Sequence, residues 1–400
     1  MPVRLRSALV VVVGLVVAAA VAERVVNSPA FLNPRDFLEF WSAGGVVARG
    51  GNPYDPDELL AVQRRAEPER DAAVMMWNPP WALAVYVPVG LVPVRWATLI
   101  WVGLQLAAVM VSCNLLWGVY RGPGRLRWVP QLLGVSFAPV VWNVLYGQNA
   151  GLLLLGLTGF VHFRAAGKPG RAGACAALTA LKPHLLAVFG VLLVLDALCR
   201  SGRVALAAGV ATLAVALGGV LVLNPDVVGQ FVRTTFHPPP GAVPLTEWVL
   251  PVAAYWLRVL LAPERFWVQF VPCAAACVGF AAWRLMRGER WDWPAALPWV
   301  VWASVLATPY GGWVFDLVVL LVPVVAVAAR LAADGRFAAL ALFALGQLVV
   351  TTASLTWAGS LPGFFWVAPA VLILCCGGEW RTRGRGQPLP RPLPQRGRGA

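Results

Sequence analysis

Residues 204–223 read VALAAGVATLAVALGGVLVL, a stretch with no charged side chain between Arg203 and Asn224. About 20 consecutive apolar residues form a helix long enough to cross the hydrocarbon core of a bilayer. Comparable stretches recur along the chain, which is 59% hydrophobic and 12% charged, whereas a soluble domain is about 45–50% apolar and about 25% charged. This composition excludes a soluble protein with a single core and predicts an all-α, polytopic membrane protein.

Twelve membrane-spanning helices are predicted from these apolar stretches. The first, Ala8 to Val26, is similar to a signal peptide, but it has no clean small-residue cleavage site and is nearly long enough to span. Two others, 172–182 and 184–199, are short at a rise of about 1.5 Å per residue and could form one element kinked at Pro183. The remaining predicted spans are 96–120, 128–145, 149–163, 204–223, 266–286, 294–308, 316–333, 337–357 and 362–378.

The basic residues indicate which loops face the cytoplasm. With both termini inside, 21 of the 32 Lys and Arg residues fall on the cytoplasmic side, as the positive-inside rule requires. The loop 27–78 and the segment 224–265, which could hold a short amphipathic helix, then lie outside. The apolar run 79–93 would reverse this arrangement if it crossed, so it is predicted to be a juxtamembrane or re-entrant helix.

The last residues, 379–400, are mainly Arg, Pro and Gly. Such a composition cannot bury a core, so this segment is predicted to be a disordered, basic cytoplasmic tail. It could bind anionic lipid headgroups, although a simple basic flank of the last span is the favoured interpretation. The formal net charge of +14 does not indicate a nucleic-acid partner, because the basic residues lie between apolar stretches rather than on one binding face.

The loop 27–78 carries eight of the 18 acidic residues of the chain. Phe37, Phe40 and Trp41 follow at helical spacing, which predicts a helix lying in the membrane interface with Asp36 and Glu39 on a neighbouring face. Asp36 could serve catalysis or could simply cap this helix, and the residues alone support the two interpretations equally.

Two further groups of polar residues lie on the predicted outer side. Gln148 and Asn149 lie between two spans, where a helix-capping role is favoured over contact with a substrate hydroxyl. Lys182 is embedded in apolar sequence, which makes it a candidate functional residue, with a snorkelling side chain as the alternative. An ammonium group at this position suits a phosphate ligand.

The later candidates are also predicted to lie outside. Asp316 could be a favourable charge at the start of a helix or a polar wall of the same cavity. Arg233 and Arg258, in the segment 224–265, could bind a phosphate through paired hydrogen bonds, although solvated surface roles are at least as well supported.

Several short motifs occur in a fixed order along the chain. They are Asp36-Phe-x-x-Phe-Trp-x-Ala, Gly51-Asn-Pro-Tyr54-Asp, Asn78-Pro-Pro-Trp with Leu91-Val-Pro, Gly147-Gln-Asn149, Lys182-Pro, and Thr308-Pro-Tyr-Gly-Gly-Trp-x-x-Asp316. Each motif is weak alone. In this order and at these spacings the chain resembles the polyprenyl-phosphate-sugar-dependent glycosyltransferases of family 87 in the GT-C superfamily, from about residue 36 to about residue 320.

The resemblance implies a GT-C-type bundle over residues 1–378 with a catalytic aspartate in the first external loop, which Asp36 matches. It implies transfer of a hexose, commonly mannose, from a polyprenyl-phosphate carrier to a lipid or glycan acceptor, with inversion, at the extracytoplasmic face of the cell membrane. Asp36 would be the general base. A nearby cation would stabilise the leaving phosphate. The candidates for that cation are Lys182, His184, Arg233 and Arg258, and the candidates for substrate contacts are Glu39, Tyr54, Gln148, Asn149, Tyr310 and Asp316.

No cofactor is predicted. Asp36 and Glu39 could hold a divalent ion, but a monophosphate leaving group needs a metal less than a diphosphate does. The chain also departs from the family pattern, because family members often carry a histidine before the late aspartate and here Gly311 and Gly312 occupy that stretch. The alternative function is a lipid or glycolipid transporter, but such proteins usually show internal repeats with paired broken helices, and none is found.

Overall fold

The computed structural model describes residues 36–239, 245–356 and 360–383, and within these ranges the chain contains helices and no strands. The predicted first span, Ala8 to Val26, lies outside the described residues, as does most of the predicted tail. The described chain is a bundle of 17 α-helices joined by short loops and 3₁₀ turns.

The first nine helices end before residue 200. They are α1 (Phe37–Val47), α2 (Pro56–Gln63), α3 (Leu83–Gly90), α4 (Val94–Val119), α5 (Trp128–Val135), α6 (Ala138–Tyr146), α7 (Ala150–Ala165), α8 (Pro169–Ala176) and α9 (Ala187–Asp196). A 3₁₀ turn, Pro80–Ala82, leads into α3, and another, Ala177–Leu181, continues from α8 toward Lys182.

The remaining eight helices complete the bundle. They are α10 (Arg200–Leu223), α11 (Val227–Phe236), α12 (Ala253–Leu261), α13 (Val271–Arg287), α14 (Trp293–Ala307), α15 (Leu321–Ala333), α16 (Phe337–Leu355) and α17 (Val367–Arg383). Turns of 3₁₀ helix at Phe266–Phe270, Asp316–Leu320 and Leu361–Trp366 lead directly into α13, α15 and α17. Because α17 continues to Arg383, the helix extends into the segment that was predicted to be a disordered tail.

Five helical segments are long and apolar enough to cross a membrane, and a sixth is possible if α5 and α6, which are bent by 54°, form one broken span. The five are Val94–Val119, Arg200–Leu223, Phe266–Arg290, Asp316–Ala333 and Phe337–Leu355. The predicted number of twelve spans is therefore not confirmed, although every predicted stretch among the described residues is largely helical. Several stretches give helices shorter than the roughly 20 residues of a span, such as α7 with 16 residues and α14 with 15.

The segment Asp316–Ala333 occupies the centre of the bundle, where nearly all of its side chains are buried. At the periphery, α10 and α13 leave large apolar side chains exposed. Val222 is 83% exposed and Met286 is 80% exposed. A continuous apolar surface of this kind suits a lipid environment and would be unusual for a monomer in water.

Helix α1 is buried on every side and packs against α3, so the prediction that it lies in the membrane interface with one polar face is wrong. The two helices cross with backbone against backbone. A Cβ atom added at Gly44 would lie 2.2 Å from the carbonyl oxygen of Tyr86, and one added at Gly90 would lie 2.2 Å from the backbone nitrogen of Gly45. The sequence pattern missed this burial because aromatic residues at helical spacing are compatible with both environments.

The basic loops meet at one end of the bundle. Asp196 accepts hydrogen bonds from Arg164 at 2.8 Å and from Arg284 at 3.1 Å, which joins the C-terminal ends of α7, α9 and α13. The guanidinium of Arg125 lies 6.0 Å from the ring centre of Phe337, which brings the loop after α4 to the start of α16. The start of α7 therefore lies at the opposite end, beside Asp36.

Candidate active site

Asp36 directly precedes α1, and its backbone N–H donates to the carbonyl oxygen of Tyr146 at 3.1 Å. Its side chain makes no hydrogen bond to the first turn of α1. Instead, the carboxylate oxygen Oδ2 accepts a hydrogen bond from Nε2 of Gln148 at 2.8 Å. The capping interpretation of Asp36 is therefore wrong, and its carboxylate belongs to a tertiary contact.

A tight turn at Gly147 places Gln148 against the start of α1. Gly147 has φ 68° and ends α6, and a Cβ atom at this position would lie 2.5 Å from Cβ of Phe37. Nε1 of Trp101 donates to the carbonyl oxygen of Gly147 at 2.8 Å. Glycine is required here both for the positive φ and for the close approach of Phe37.

Asn149 is fully buried and, like Asp36, makes no capping hydrogen bond. Its Nδ2 donates to the hydroxyl of Tyr86 at 2.7 Å, and Nδ2 of Asn78 donates to the same hydroxyl at 2.7 Å. The hydroxyl of Tyr54 in turn donates to the backbone carbonyl of Asn78 at 3.0 Å. Tyr54 and Asn149, both candidates for substrate contacts, thus belong to one buried network around Tyr86.

Lys182 is buried, and its ammonium group has two hydrogen-bonding partners. Nζ donates to Oε1 of Gln148 at 2.8 Å and to Oδ1 of Asp316 at 2.6 Å. It also lies 5.3 Å from the ring centre of Phe315. The snorkelling alternative is wrong, because the lysine is paired with a buried carboxylate instead of reaching for solvent.

The second oxygen of Asp316 accepts a hydrogen bond from the backbone N–H of Trp313 at 3.2 Å. His184 lies nearby, because a Cβ atom added at Gly311 would be 3.1 Å from His184 Nε2 and 3.2 Å from Asp316 Oδ2. Burial lowers the pKa of His184 to about 4, although the charge of Asp316 acts in the opposite direction. The imidazole is therefore neutral at neutral pH.

Glu39 provides a second buried carboxyl group next to Asp36. Its Oε1 accepts a hydrogen bond from the backbone N–H of Trp77 at 3.2 Å. Burial raises the pKa of Glu39 to about 8, and the negative charge of Asp36 acts in the same direction, while the Trp77 hydrogen bond and Lys182 oppose it. Glu39 is therefore largely protonated at neutral pH.

Arg258 is buried but has no acidic partner among the described residues. Its Nη1 donates to the backbone carbonyl of Thr246 at 3.0 Å, while Nε is buried without a partner. The guanidinium lies 5.3 Å from the ring centre of Phe266, and that ring lies 5.9 Å from the ring of Tyr310. Tyr310 connects onward to His184, at 6.4 Å between ring centres.

Arg233 is not part of this buried group, because it is exposed on α11.

The structure brings Asp36, Gln148, Lys182 and Asp316 together by direct contact. Arg258 is linked to them through aromatic rings. Sequence reasoning did not identify Tyr86 or Trp77 as members of the site. A single tyrosine within the apolar run 79–93 was the available signal for Tyr86. Among the described residues, no three His, Cys, Asp or Glu side chains are grouped so that they could hold a metal ion.

Comparison with protein families matches residues 77–309, more than half of the chain, to Glycosyltransferase family 87. No curated protein and no solved structure matches the chain. The matched region includes Gln148, Lys182 and Arg258. Asp36 precedes it and Asp316 follows it, so the site combines residues from inside and outside the matched region.

Proposed function

We propose that this chain, which belongs to glycosyltransferase family 87, transfers a hexose, specifically mannose, from a polyprenyl-phosphate carrier to a lipid or glycan acceptor. Family membership makes the chain a glycosyltransferase, and its long apolar helices make it a membrane protein. The observation that carries the proposal is the contact between Asp36 and a buried polar cluster formed by Gln148, Lys182 and Asp316.

Asp36 is the proposed general base. Its carboxylate would take the proton of the acceptor hydroxyl while that oxygen bonds to the anomeric carbon of the sugar. The bond from the anomeric carbon to the phosphate oxygen breaks in the same step, which inverts the anomeric centre. The products are the glycosylated acceptor, the polyprenyl phosphate and a protonated Asp36, so atoms and charge balance.

The leaving phosphate gains negative charge as the glycosidic bond breaks, and a fixed cation would stabilise it. Four basic residues are candidates. Lys182 already has Asp316 as its counter-charge, His184 is neutral at neutral pH, and Arg233 is exposed. Arg258 is the best candidate, because it is buried, it has no acidic partner within the described part of the chain, and a guanidinium can donate two parallel hydrogen bonds to a phosphate.

The proposed location of the site is the extracytoplasmic side of the cell membrane. The basic loops gather at the end of the bundle marked by Arg164, Asp196 and Arg284, while Asp36 lies at the other end. Basic loops remain preferentially in the cytoplasm. A donor delivered on a lipid carrier fits a reaction at the outer membrane surface.

The direct test is transfer by the purified protein in lipid nanodiscs, with polyprenyl-phosphate-[¹⁴C]mannose as donor and a panel of membrane glycolipids as acceptors. We expect labelled acceptor to form with the wild type and not with Asp36→Asn. Asp57→Asn is the matched control, because Asp57 is an exposed acid in the first turn of α2, the helix that follows α1. In sealed proteoliposomes, movement of the donor across the bilayer without any transfer would support the transporter alternative instead.

A further inference from the structure

The side-chain amide of Gln148 lies between two charged groups, and these groups determine its orientation. A carboxylate can only accept hydrogen bonds and an ammonium can only donate them. The NH₂ group of Gln148 must therefore face Asp36, at 2.8 Å, and its carbonyl oxygen must face Lys182, also at 2.8 Å. If Lys182 were absent, the Asp36 carboxylate alone would orient the amide, and the carbonyl oxygen of Gln148 would lose the donor that holds it in this set of contacts.

We propose that Lys182 and Asp316 are positioning residues that act on Asp36 through Gln148. Asp316 holds the ammonium of Lys182, Lys182 fixes the carbonyl end of the Gln148 amide, and the amide then donates to the carboxylate that serves as general base. This inference rests on the proposed role of Asp36. It gives Lys182 a different role from phosphate binding, which its sequence context had suggested.

The charges at the site favour the positioning role. Lys182 and Asp316 form a buried pair at 2.6 Å with no net charge, so the lysine has no surplus charge to offer a phosphate. Asp36 also faces Glu39 from α1, and His184 lies beside Asp316. A group placed between Asp36 and Lys182 would have to displace the Gln148 amide. Arg258, by contrast, is not paired with any carboxylate that the structure describes.

The test compares three variants that interrupt, at different points, the contacts that run from Asp316 through Lys182 and Gln148 to Asp36. Gln148→Leu removes the amide, and Lys182→Met paired with Asp316→Asn removes the anchor without leaving a buried charge unpaired. The third variant combines all three changes. Using the paired substitution matters, because Lys182→Met alone would leave the buried Asp316 carboxylate without its counter-charge, which would destabilise the fold.

In the transfer assay with polyprenyl-phosphate-mannose, each of the first two variants should lower kcat by roughly 10- to 100-fold, the factor that corresponds to one hydrogen bond to a charged group. The KM for the donor should change much less. The combined variant should lose no more activity than the less active of the first two variants, because the effects of residues that act in series are not additive. Multiplying losses would overturn the proposal and return Lys182 to the phosphate, because a cation that stabilises the leaving group would act independently of the Gln148 amide.

A second measurement does not depend on the donor. Infrared difference spectroscopy can follow protonation of Asp36, with its carboxylate band identified by its loss in Asp36→Asn. A hydrogen bond donated to a carboxylate favours the charged form, so Gln148→Leu should move the protonation midpoint of Asp36 to higher pH. The paired variant, whose net charge is unchanged, should move it equally. A paired variant with the wild-type midpoint, beside a shifted Gln148→Leu, would show that Lys182 does not act through the amide.

Discussion

Lys182 and Asp316 are 134 positions apart in the sequence, yet Nζ of the lysine lies 2.6 Å from Oδ1 of the aspartate. The lysine follows the 3₁₀ turn after α8, and the aspartate begins the buried central segment of the bundle. This ion pair ties the turn that carries Lys182 to the centre of the fold. Through Gln148 it also connects that centre to Asp36, so the site is anchored in the core rather than in a loop.

Replacing the carboxylate of Asp36, the proposed general base, is the first test of the proposed chemistry. Asp36→Asn keeps the size of the side chain and should fold, while transfer should fall by about 10²–10⁴-fold, the usual contribution of a general base. Initial rates with polyprenyl-phosphate-mannose measure the effect, and thermal unfolding checks the fold. Wild-type turnover in this variant would exclude Asp36 as the base.

Arg258 should stabilise the phosphate of the donor, most strongly as the glycosidic bond breaks. Arg258→Met keeps an apolar stem next to Phe266 but removes the guanidinium, so kcat/KM for the donor should fall by roughly 10- to 100-fold. Arg258→Lys should recover only part of the loss, because an ammonium cannot reproduce a bidentate contact. The control is Arg233→Met on the exposed face of α11, and an equal loss in that control would argue against a specific site at Arg258.

Gly147 offers a test of how the site is assembled. Gly147→Ala should destabilise the protein and also reduce transfer, because the new Cβ would meet Phe37 at 2.5 Å and push Gln148 away from Asp36. Gly167 is a matched control, since its φ is also 68° but no atom lies within 4 Å of an added Cβ. Gly167→Ala should cost about 1–2 kcal/mol for the left-handed backbone alone and leave transfer intact. Equal effects at both positions would show that close packing at Gly147 is unimportant.

Glu39 should make stability depend on pH. The folded protein retains its proton up to about pH 8, whereas the ordinary pKa is 4.5, so the folded state binds more protons than the unfolded chain between these values. Stability should therefore fall as pH rises through this window. In Glu39→Gln the decline should be weaker. Thermal midpoints measured from pH 4.5 to pH 8.5 provide the comparison, and parallel curves for the two proteins would contradict a buried, protonated Glu39.

The orientation in the membrane can be tested with single cysteines in a cysteine-free background. Glu67→Cys, in the loop after α2, should react with an impermeant maleimide from outside intact cells. Glu289→Cys, in the basic region after α13, should react only after permeabilisation. Glu289 is exposed, and Glu67 is partly exposed in the loop after α2, where it pairs with Arg70. The reverse pattern would overturn the predicted topology and place Asp36 on the cytoplasmic side.

Much of the site was predictable from residue types. Lys182 was singled out as a charge within apolar sequence, and Asp36, Gln148 and Asp316 as polar residues at the ends of predicted helices. The structure makes these four residues partners in one set of contacts. Their pairing was not predictable. The sequence does not show that Asp316 neutralises Lys182, and local patterns wrongly favoured helix capping for Asn149.

The predicted number of twelve spans is not confirmed among the described residues, and the reason is physical. Hydropathy shows which stretches avoid water, but a short helix buried by its neighbours is as apolar as one that crosses the bilayer. α7 illustrates this, since eleven of its 16 residues are buried within the protein. Burial of α1 was missed for the same reason, because Phe37, Phe40 and Trp41 suit a protein interior as well as a membrane interface.

The exposed apolar faces of α10 and α13 also affect how any of these variants can be compared. In a purified sample those faces are covered by detergent or by added lipid, and the amphiphile that binds them contributes to the free energy of the folded state. A melting temperature of this protein is therefore a property of the protein together with its amphiphile. Differences between two variants can be assigned to the substitution only when both are measured in the same amphiphile at the same concentration.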